Sequence, residues 1–207
     1  MSSHLFAFLS RMKYISRWAL MRNASPENLS EHSLETAILA HALVTLHNTR
    51  FADSSPGISG EISAERAATL AVFHDAPEVL TGDLPTPVKY HNERLRAAYQ
   101  QVEEGACARL LGMLPADLRE AYQPLLCPQD EDAAVLRYVK AADKLSALIK
   151  CIEERKAGNM EFIRAEASIR SALEVMRLPA VDCFLAEFLP SYERPLDELT
   201  MEDNDEN

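Results

Sequence analysis

SEHSLETAILAHALVTLHN, Ser30 to Asn48, decides the fold. It opens with capping options, Asn28 with Glu31 three residues on or Ser30 itself, and then runs apolar almost all round from Ala37 to Leu46. A helix without a polar face is expected at the centre of a bundle. Downstream, SAERAATLAVFHD repeats the helical spacing through Ala67, Leu70, Ala71 and His74 behind a Ser63 cap. It should end near Asp75, because Pro77 disfavours helical geometry at Ala76 and has no N–H to donate. A turn at Gly82 and a rigid DLPTP, with Pro85 and Pro87 holding it extended, lead to a helical stretch from Val88 to Met113. Pro115 punctuates that stretch, a short helix follows, and Pro124 and Pro128 end it. EDAAVLRYVKAADKLSALIKCIEERKAGN is a third strong helix closed by Gly158 and Asn159, and two more run from Glu161 to Arg177 and from Ala180 to Leu189. No alternating strand pattern interrupts these elements. The expectation is an all-α, single-domain helical bundle over 1–199, a Ser, Gly and Pro-rich excursion from Arg50 to Gly60, and a flexible acidic tail over 200–207.

Composition limits the function classes. The chain has 207 residues, 47% hydrophobic and 26% charged, which are ordinary globular values. A net charge of -11 argues against binding a nucleic acid polymer, whose affinity comes from neutralising many phosphates. Charge is unevenly placed: Arg11, Lys13, Arg17 and Arg22 stand in an acid-free beginning, while the segment after Arg194 has six acids and no base. A small basic patch on an acidic protein suits a small anion such as one phosphate, although a solvated helix face reads the same way. Cys107, Cys127, Cys151 and Cys183 form no CxxC pair and read as reduced core thiols of a cytoplasmic protein. HLFAFLSRMK has too short an apolar run for a signal-peptide core, and the uncharged run from Thr36 to Thr49 is too short to span a membrane. No export and no membrane are expected.

The chemistry concentrates on three of the helices. His32 lies in the first turn of the first, His74 and Asp75 end the second, and Asp143 sits in the middle of the third. Asp143 shares its face with Leu136, Val139, Ser146 and Ala147. A carboxylate there is costly unless paired or bound to a cation. Alone, an ion pair with Lys140 accounts for Asp143, and a satisfied helix-start histidine accounts for His32. As a set, two imidazoles and two carboxylates suit a hard or borderline divalent ion that activates water.

The blocks SRWALMRN, NLSEHSLETA, HDAPEVLTGDLPTPVKY and VKAADKLSALIKCIEE, with His32, His74-Asp75 and Asp143 in the order H, HD, D, resemble the bacterial 5'-deoxynucleotidases of the HD-domain metal-dependent phosphohydrolase superfamily. The similarity runs from about Phe6 to Leu199. The HD signature is shared by many substrates, whereas the Arg17-Trp18 pair and LTGDLPTP are the specific part. The resemblance implies hydrolysis of deoxyribonucleoside 5'-monophosphates and one divalent cation, Co(II), Mn(II) or similar, on His32, His74, Asp75 and Asp143. It further implies phosphate contact by Arg17, a sugar wall at Trp18, a catalytic carboxylate at Glu78, and substrate contacts along Asp83, Leu84, Pro85 and Thr86, with His32, Asp75 and Asp143 also facing the substrate. A homodimer is implied as well.

Each role has a plainer alternative. Glu78 can be a helix-start acid stabilised by the dipole, and Asp83 a turn residue bonding its own backbone. Two positions depart from the family pattern: Pro77 replaces a small hydroxyl residue and Ala19 a proline. The first removes a backbone donor near the phosphate, and the second leaves the Trp18 backbone less fixed. Two further readings stay open: the same centre acting on another nucleotide or phosphoester, or a non-catalytic nucleotide-binding protein with a structural metal.

Overall fold

The computed structural model describes residues 3–58, 60–89, 91–128 and 130–200, excluding the side chains of Thr86, Pro87 and Asp130. Caps and prolines cut this chain into eleven α-helices among the described residues. They are α1 (Leu5–Leu9), α2 (Leu29–Leu46), α3 (Ala64–Phe73), α4 (Glu78–Thr81), α5 (Thr86–Lys89), α6 (Glu93–Gly112), α7 (Ala116–Leu126), α8 (Ala133–Lys156), α9 (Ile163–Val175), α10 (Pro179–Glu187) and α11 (Leu196–Leu199). No strand occurs among the described residues, only one antiparallel bridge between Ser16 and Asn28. None of their helices is long and apolar enough to cross a membrane.

Of the two expected caps on α2, Asn28 is the one used. Its side chain accepts from the N–H groups of Ser30 and Glu31 at 3.0 and 3.1 Å, and Glu31 returns a bond to the Asn28 N–H at 3.1 Å. Such a capping box stabilises a helix start by about 1 kcal/mol. It sets the rotation of α2, and so the direction of His32 four residues on.

The core forms where α2 meets α3 and α8, and α8 continues against α9. Leu43, Leu70, Leu145, Leu148 and Ile149 are buried there, each stabilising by roughly 1.5–3 kcal/mol. A smaller cluster of Leu5, Ala76, Leu110, Leu114 and Leu126 joins α1, α6 and α7 to the turn after α3. Ala76 therefore anchors that turn while its polar neighbours face elsewhere.

Several expectations need correction. The α2 helix is central but not covered all round: Leu34 and Ile38, one turn apart, are each 62% exposed. The helix expected over Val88 to Met113 divides, because the Asn92 side chain accepts from the Leu95 N–H at 2.8 Å and caps a new start. Thr86 does not continue an extended segment but opens α5, whose Lys89 N–H returns to the Pro85 carbonyl at 3.0 Å. Pro124 lies inside α7, in its last turn, and the helix ends at Leu126. Only Cys151 is a buried core thiol; Cys107, Cys127 and Cys183 are half-buried. The excursion from Arg50 to Gly60 is tied down at its described residues, with the buried His47 ring bonded to Ser55 Oγ at 3.0 Å and to the Gly60 carbonyl at 3.1 Å. The acidic tail lies, from 201 onward, outside the described residues.

Candidate metal and phosphate site

Apart from Asp143, in the middle of α8, the site is built at the ends of helices, where backbone groups lack intrahelical partners. His74 follows α3 directly, and its Nδ1 lies 2.6 Å from the Ala71 carbonyl in the last turn. That carbonyl accepts from the ring, so the bond keeps a proton on Nδ1 and makes Nε2 the nitrogen that can ligate a cation once its own proton is displaced. His74 Nε2 is buried and makes no hydrogen bond, standing 3.1 Å from Asp75 Oδ2. An orphaned imidazole nitrogen of this kind fits a cation ligand.

His32, fully buried in the first turn of α2, aims Nε2 at the same point. Asp143 Oδ1 is 3.2 Å from it, Asp75 Oδ2 3.6 Å, and the Thr36 hydroxyl 3.4 Å. The imidazole centroids of His32 and His74 are 5.3 Å apart. One ligand atom each from His32, His74 and Asp143 lies within 4.8 Å of the others, a spacing one divalent cation can bridge. Asp75 stands beside this set, with Oδ2 also 3.3 Å from Arg17 Nη1.

The carboxylates favour positive charge at this point, carried by protons on the imidazoles or by a cation that displaces them. Burial opposes charge on every group here, yet the carboxylates of Asp75 and Asp143 push the His74 pKa up to about 9. Burial likewise opposes ionisation of Asp143, but the adjoining His32 imidazole and the charges of His74 and Arg17 hold it well below the usual carboxylate range. The Asp75 pKa is lowered against burial, chiefly by His74. Glu78, 8% exposed at the start of α4, has its pKa raised to about 9 by burial and by the charges of Asp75 and Asp83. Its Oε2 is buried without a partner. The α4 helix is set off by Pro77 before it and closed by Gly82, whose φ of 75° a side chain would disfavour and which turns Asp83 back toward the site.

The segment carrying Arg17 and Trp18 is held twice. Residues 15–17 run antiparallel to the start of α2, with Arg17 N–H on the Glu27 carbonyl at 3.0 Å and Leu29 N–H on the Ile15 carbonyl at 3.0 Å. Below, Lys150, Glu154 and Asn159 form a buried polar cluster from α8 and its C-terminal cap region. Glu154 accepts from the Ala24 and Ser25 N–H groups at 2.7 and 3.0 Å, Lys150 bonds the Ser25 carbonyl and Glu154, and Asn159 donates to the Arg22 carbonyl at 2.6 Å. The backbone between is strained: Trp18 has φ 56°, a conformation costing a non-glycine residue about 1–3 kcal/mol. Its ring packs on Phe162 at 5.2 Å.

Of the residues expected at the site, His32, His74, Asp75, Asp143 and Arg17 converge directly. Trp18 and Asp83 join through the segment above: burial raises the Asp83 pKa, while Arg17 and the Trp18 backbone favour its charged form. Leu84 and Pro85 follow on the half-buried loop, and the Thr86 side chain lies outside the described residues. Of the basic beginning, Arg17 alone among Arg11, Lys13 and Arg17 turns inward; Arg11 and Lys13 stack on the exposed Tyr14. Glu27 escapes sequence reasoning altogether. Its Oε2 accepts from Arg17 Nε at 3.2 Å and from Trp18 Nε1 at 2.9 Å. An acid ten residues from Arg17 carries no local signal, and only its place one residue before the Asn28 cap could have drawn notice.

The fold is that of the HD-domain phosphohydrolases. It matches the solved HD-domain phosphohydrolase from Listeria innocua with a TM-score of 0.78, at 24% identity over 93% of this chain and 90% of that one. A cyanophage S-2L HD phosphohydrolase, solved with dA and one catalytic Zn2+ ion, matches with a TM-score of 0.58, at 15% identity over 86% and 91%. At the level of sequence, the model of the family described as 5'-deoxynucleotidase YfbR-like matches residues 4–192. A 5'-deoxynucleotidase of Erwinia tasmaniensis is 48% identical over 200 residues, covering 97% of this chain and 98% of the relative. One from Yersinia pseudotuberculosis is 45% identical over 203 residues, covering 98% and 100%. The chain belongs to the YfbR-like 5'-deoxynucleotidase family.

Proposed function

We propose that this protein is a metal-dependent phosphomonoesterase that hydrolyses deoxyribonucleoside 5'-monophosphates to deoxynucleoside and phosphate. The observation that carries the proposal is the convergence of His32, His74 and Asp143 ligand atoms within 4.8 Å. It stands beside Arg17 and a buried Glu78, in a chain whose curated relatives are named 5'-deoxynucleotidases. His32, His74, Asp143 and Asp75 are the proposed cation ligands, and the mixed N and O set accepts Co(II), Mn(II) or a similar ion. Such a cation supplies Lewis-acid activation of a water and neutralises phosphate charge.

The residues divide the remaining work. Arg17, already oriented by Glu27 and Asp75, forks its guanidinium toward phosphate oxygens and carries a full charge there. Water oxygen attacks phosphorus as the bond to the 5'-oxygen breaks, and that oxygen needs a proton to leave. Glu78, with its pKa raised to about 9, holds a proton for that oxygen, and of the attacking water's two protons one restores Glu78 while the other stays on the released phosphate. Trp18 walls the sugar where a ribose 2'-hydroxyl would stand, and Asp83 accepts from the 3'-hydroxyl. Leu84, Pro85 and Thr86 complete the sugar side. A homodimer, supported by the uncovered Leu34 and Ile38, belongs to the same reading, as does a cytoplasmic location.

The test is phosphate release from deoxynucleoside monophosphates, ribonucleoside monophosphates, triphosphates and cyclic nucleotides, with metal-stripped protein reloaded with a series of divalent ions. dNMP turnover should require metal and disappear in Asp143→Ala. Robust dNMP hydrolysis by the stripped protein overturns the proposal.

A further inference from the structure

We propose that Glu35 and Ser146 are positioning residues that lock His32 in the tautomer and pose a cation ligand requires. The inference rests on reading His32 as a ligand, and deepens it. Ser146 lies fully buried on α8, one helical turn beyond Asp143, and its Oγ is 3.1 Å from His32 Nδ1. The same hydroxyl donates to Glu35 Oε2 at 2.5 Å. A serine hydroxyl has one hydrogen, so once that hydrogen goes to the carboxylate, only its lone pairs remain for the imidazole. His32 must therefore donate from Nδ1, which places the Nε2 lone pair opposite, toward Asp143 and His74. The other acceptor near Nδ1, Glu27 Oε1, stands at 3.9 Å, beyond hydrogen-bond range.

The outer end of this chain explains why it needs an acid. Glu35 is half-buried and lines a cleft of about 260 Å³ with Glu27, Glu31, Lys150 and Glu153. It sits three residues after His32, nearly one turn along α2, so the ligand and the acid that orients it belong to one rigid element. Ser146 bridges them from α8, beside Asp143. A carboxylate behind an imidazole fixes the ring and raises its basicity, and losing such support costs roughly 10–100-fold in metal affinity. His74 achieves the same result differently, from the Ala71 carbonyl of its own helix. The two ligands are thus held by unlike devices, and the side-chain device is the one that substitution can remove.

The experiment titrates full-length, metal-stripped protein with Co(II), following heat and the visible d–d absorption of the ion. Wild type should bind one Co(II) and His32→Ala should lose the site; equal binding by His32→Ala sinks the reading on which the inference rests. With that control met, Ser146→Ala should bind Co(II) roughly 10–100-fold more weakly and Glu35→Ala about tenfold, whereas Glu35→Gln, whose amide oxygen still accepts from Ser146, stays within about threefold. If the buried Ser146→Ala fails to fold, the half-buried Glu35 pair carries the test. Co(II) affinities of Glu35→Ala and Glu35→Gln that both match wild type overturn the inference.

Discussion

The indole nitrogen of Trp18 donates to Glu27 Oε2 at 2.9 Å, and that oxygen also takes Arg17 Nε at 3.2 Å. One carboxylate atom thus sets the relative position of the proposed sugar wall and the proposed phosphate fork. Glu27→Ala should release both, raising KM for dAMP by about tenfold, the worth of one charged hydrogen bond, while narrowing the preference for dAMP over AMP. Trp18→Ala should change the preference more than the KM, within the roughly hundredfold limit that an apolar wall imposes on an added hydroxyl. Steady-state kinetics on both nucleotides separate the two; unaltered sugar preference in both variants would falsify the clamp.

Glu78 gives a pH signature. With its pKa raised to about 9 by burial first, the native state binds a proton that the unfolded chain has lost, over the range from an ordinary carboxylate pKa up to about 9. Its contribution to stability is full below the unfolded pKa and falls away as pH rises toward about 9. Glu78→Gln should therefore raise Tm at pH 8 relative to wild type, while lowering kcat by roughly 10²–10⁴-fold with little change in KM. A Tm unchanged at alkaline pH, or a kcat within a factor of a few of wild type, contradicts this.

Glu154 has the opposite sign. Burial works to raise its pKa, but Lys150 and the N–H groups of Ala24, Ser25 and Asn159 lower it to about 2. Its stabilisation is present above the unfolded carboxylate pKa and is lost as pH falls through about 2. Glu154→Gln leaves the buried Lys150 charge on the Ser25 carbonyl without its carboxylate and should cost roughly 3–5 kcal/mol at pH 7, with a shallower loss between pH 4 and 2 than wild type shows. Denaturant unfolding across that range reads both effects.

The uncovered stripe on α2 is the place to test the proposed homodimer. Ile38→Glu, at a position already 62% exposed, should leave the monomer fold intact and shift the mass measured by light scattering to that of one chain. A dimer that survives Leu34→Glu and Ile38→Glu together places the interface elsewhere.

Local physics made much of this legible. The Asn28 box, the Ser63 cap and the halt at Pro77 are short-range events, and they position His32, His74 and Asp75. Helical spacing put Ser146 on the face of Asp143, but nothing in the spacing says that His32 lies opposite. Glu27 and Glu35 act across helices, so their partners emerge only when the chain is packed. The Asn92 restart of a helix and the tolerated Pro124 failed for a different reason: a cap can outweigh apolar continuity, and a proline in the last turn sacrifices few hydrogen bonds.

The left-handed backbone at Trp18 has a consequence for design. Glycine would relax that turn, so Trp18→Gly gives back the strain while deleting the indole, and the exchange sets folding against recognition at a single position. Because folding bears this cost in the free protein, the proposed sugar wall stands before any nucleotide arrives. On that proposal discrimination is built in before binding, and a stabilising search that samples only thermal unfolding would select against it.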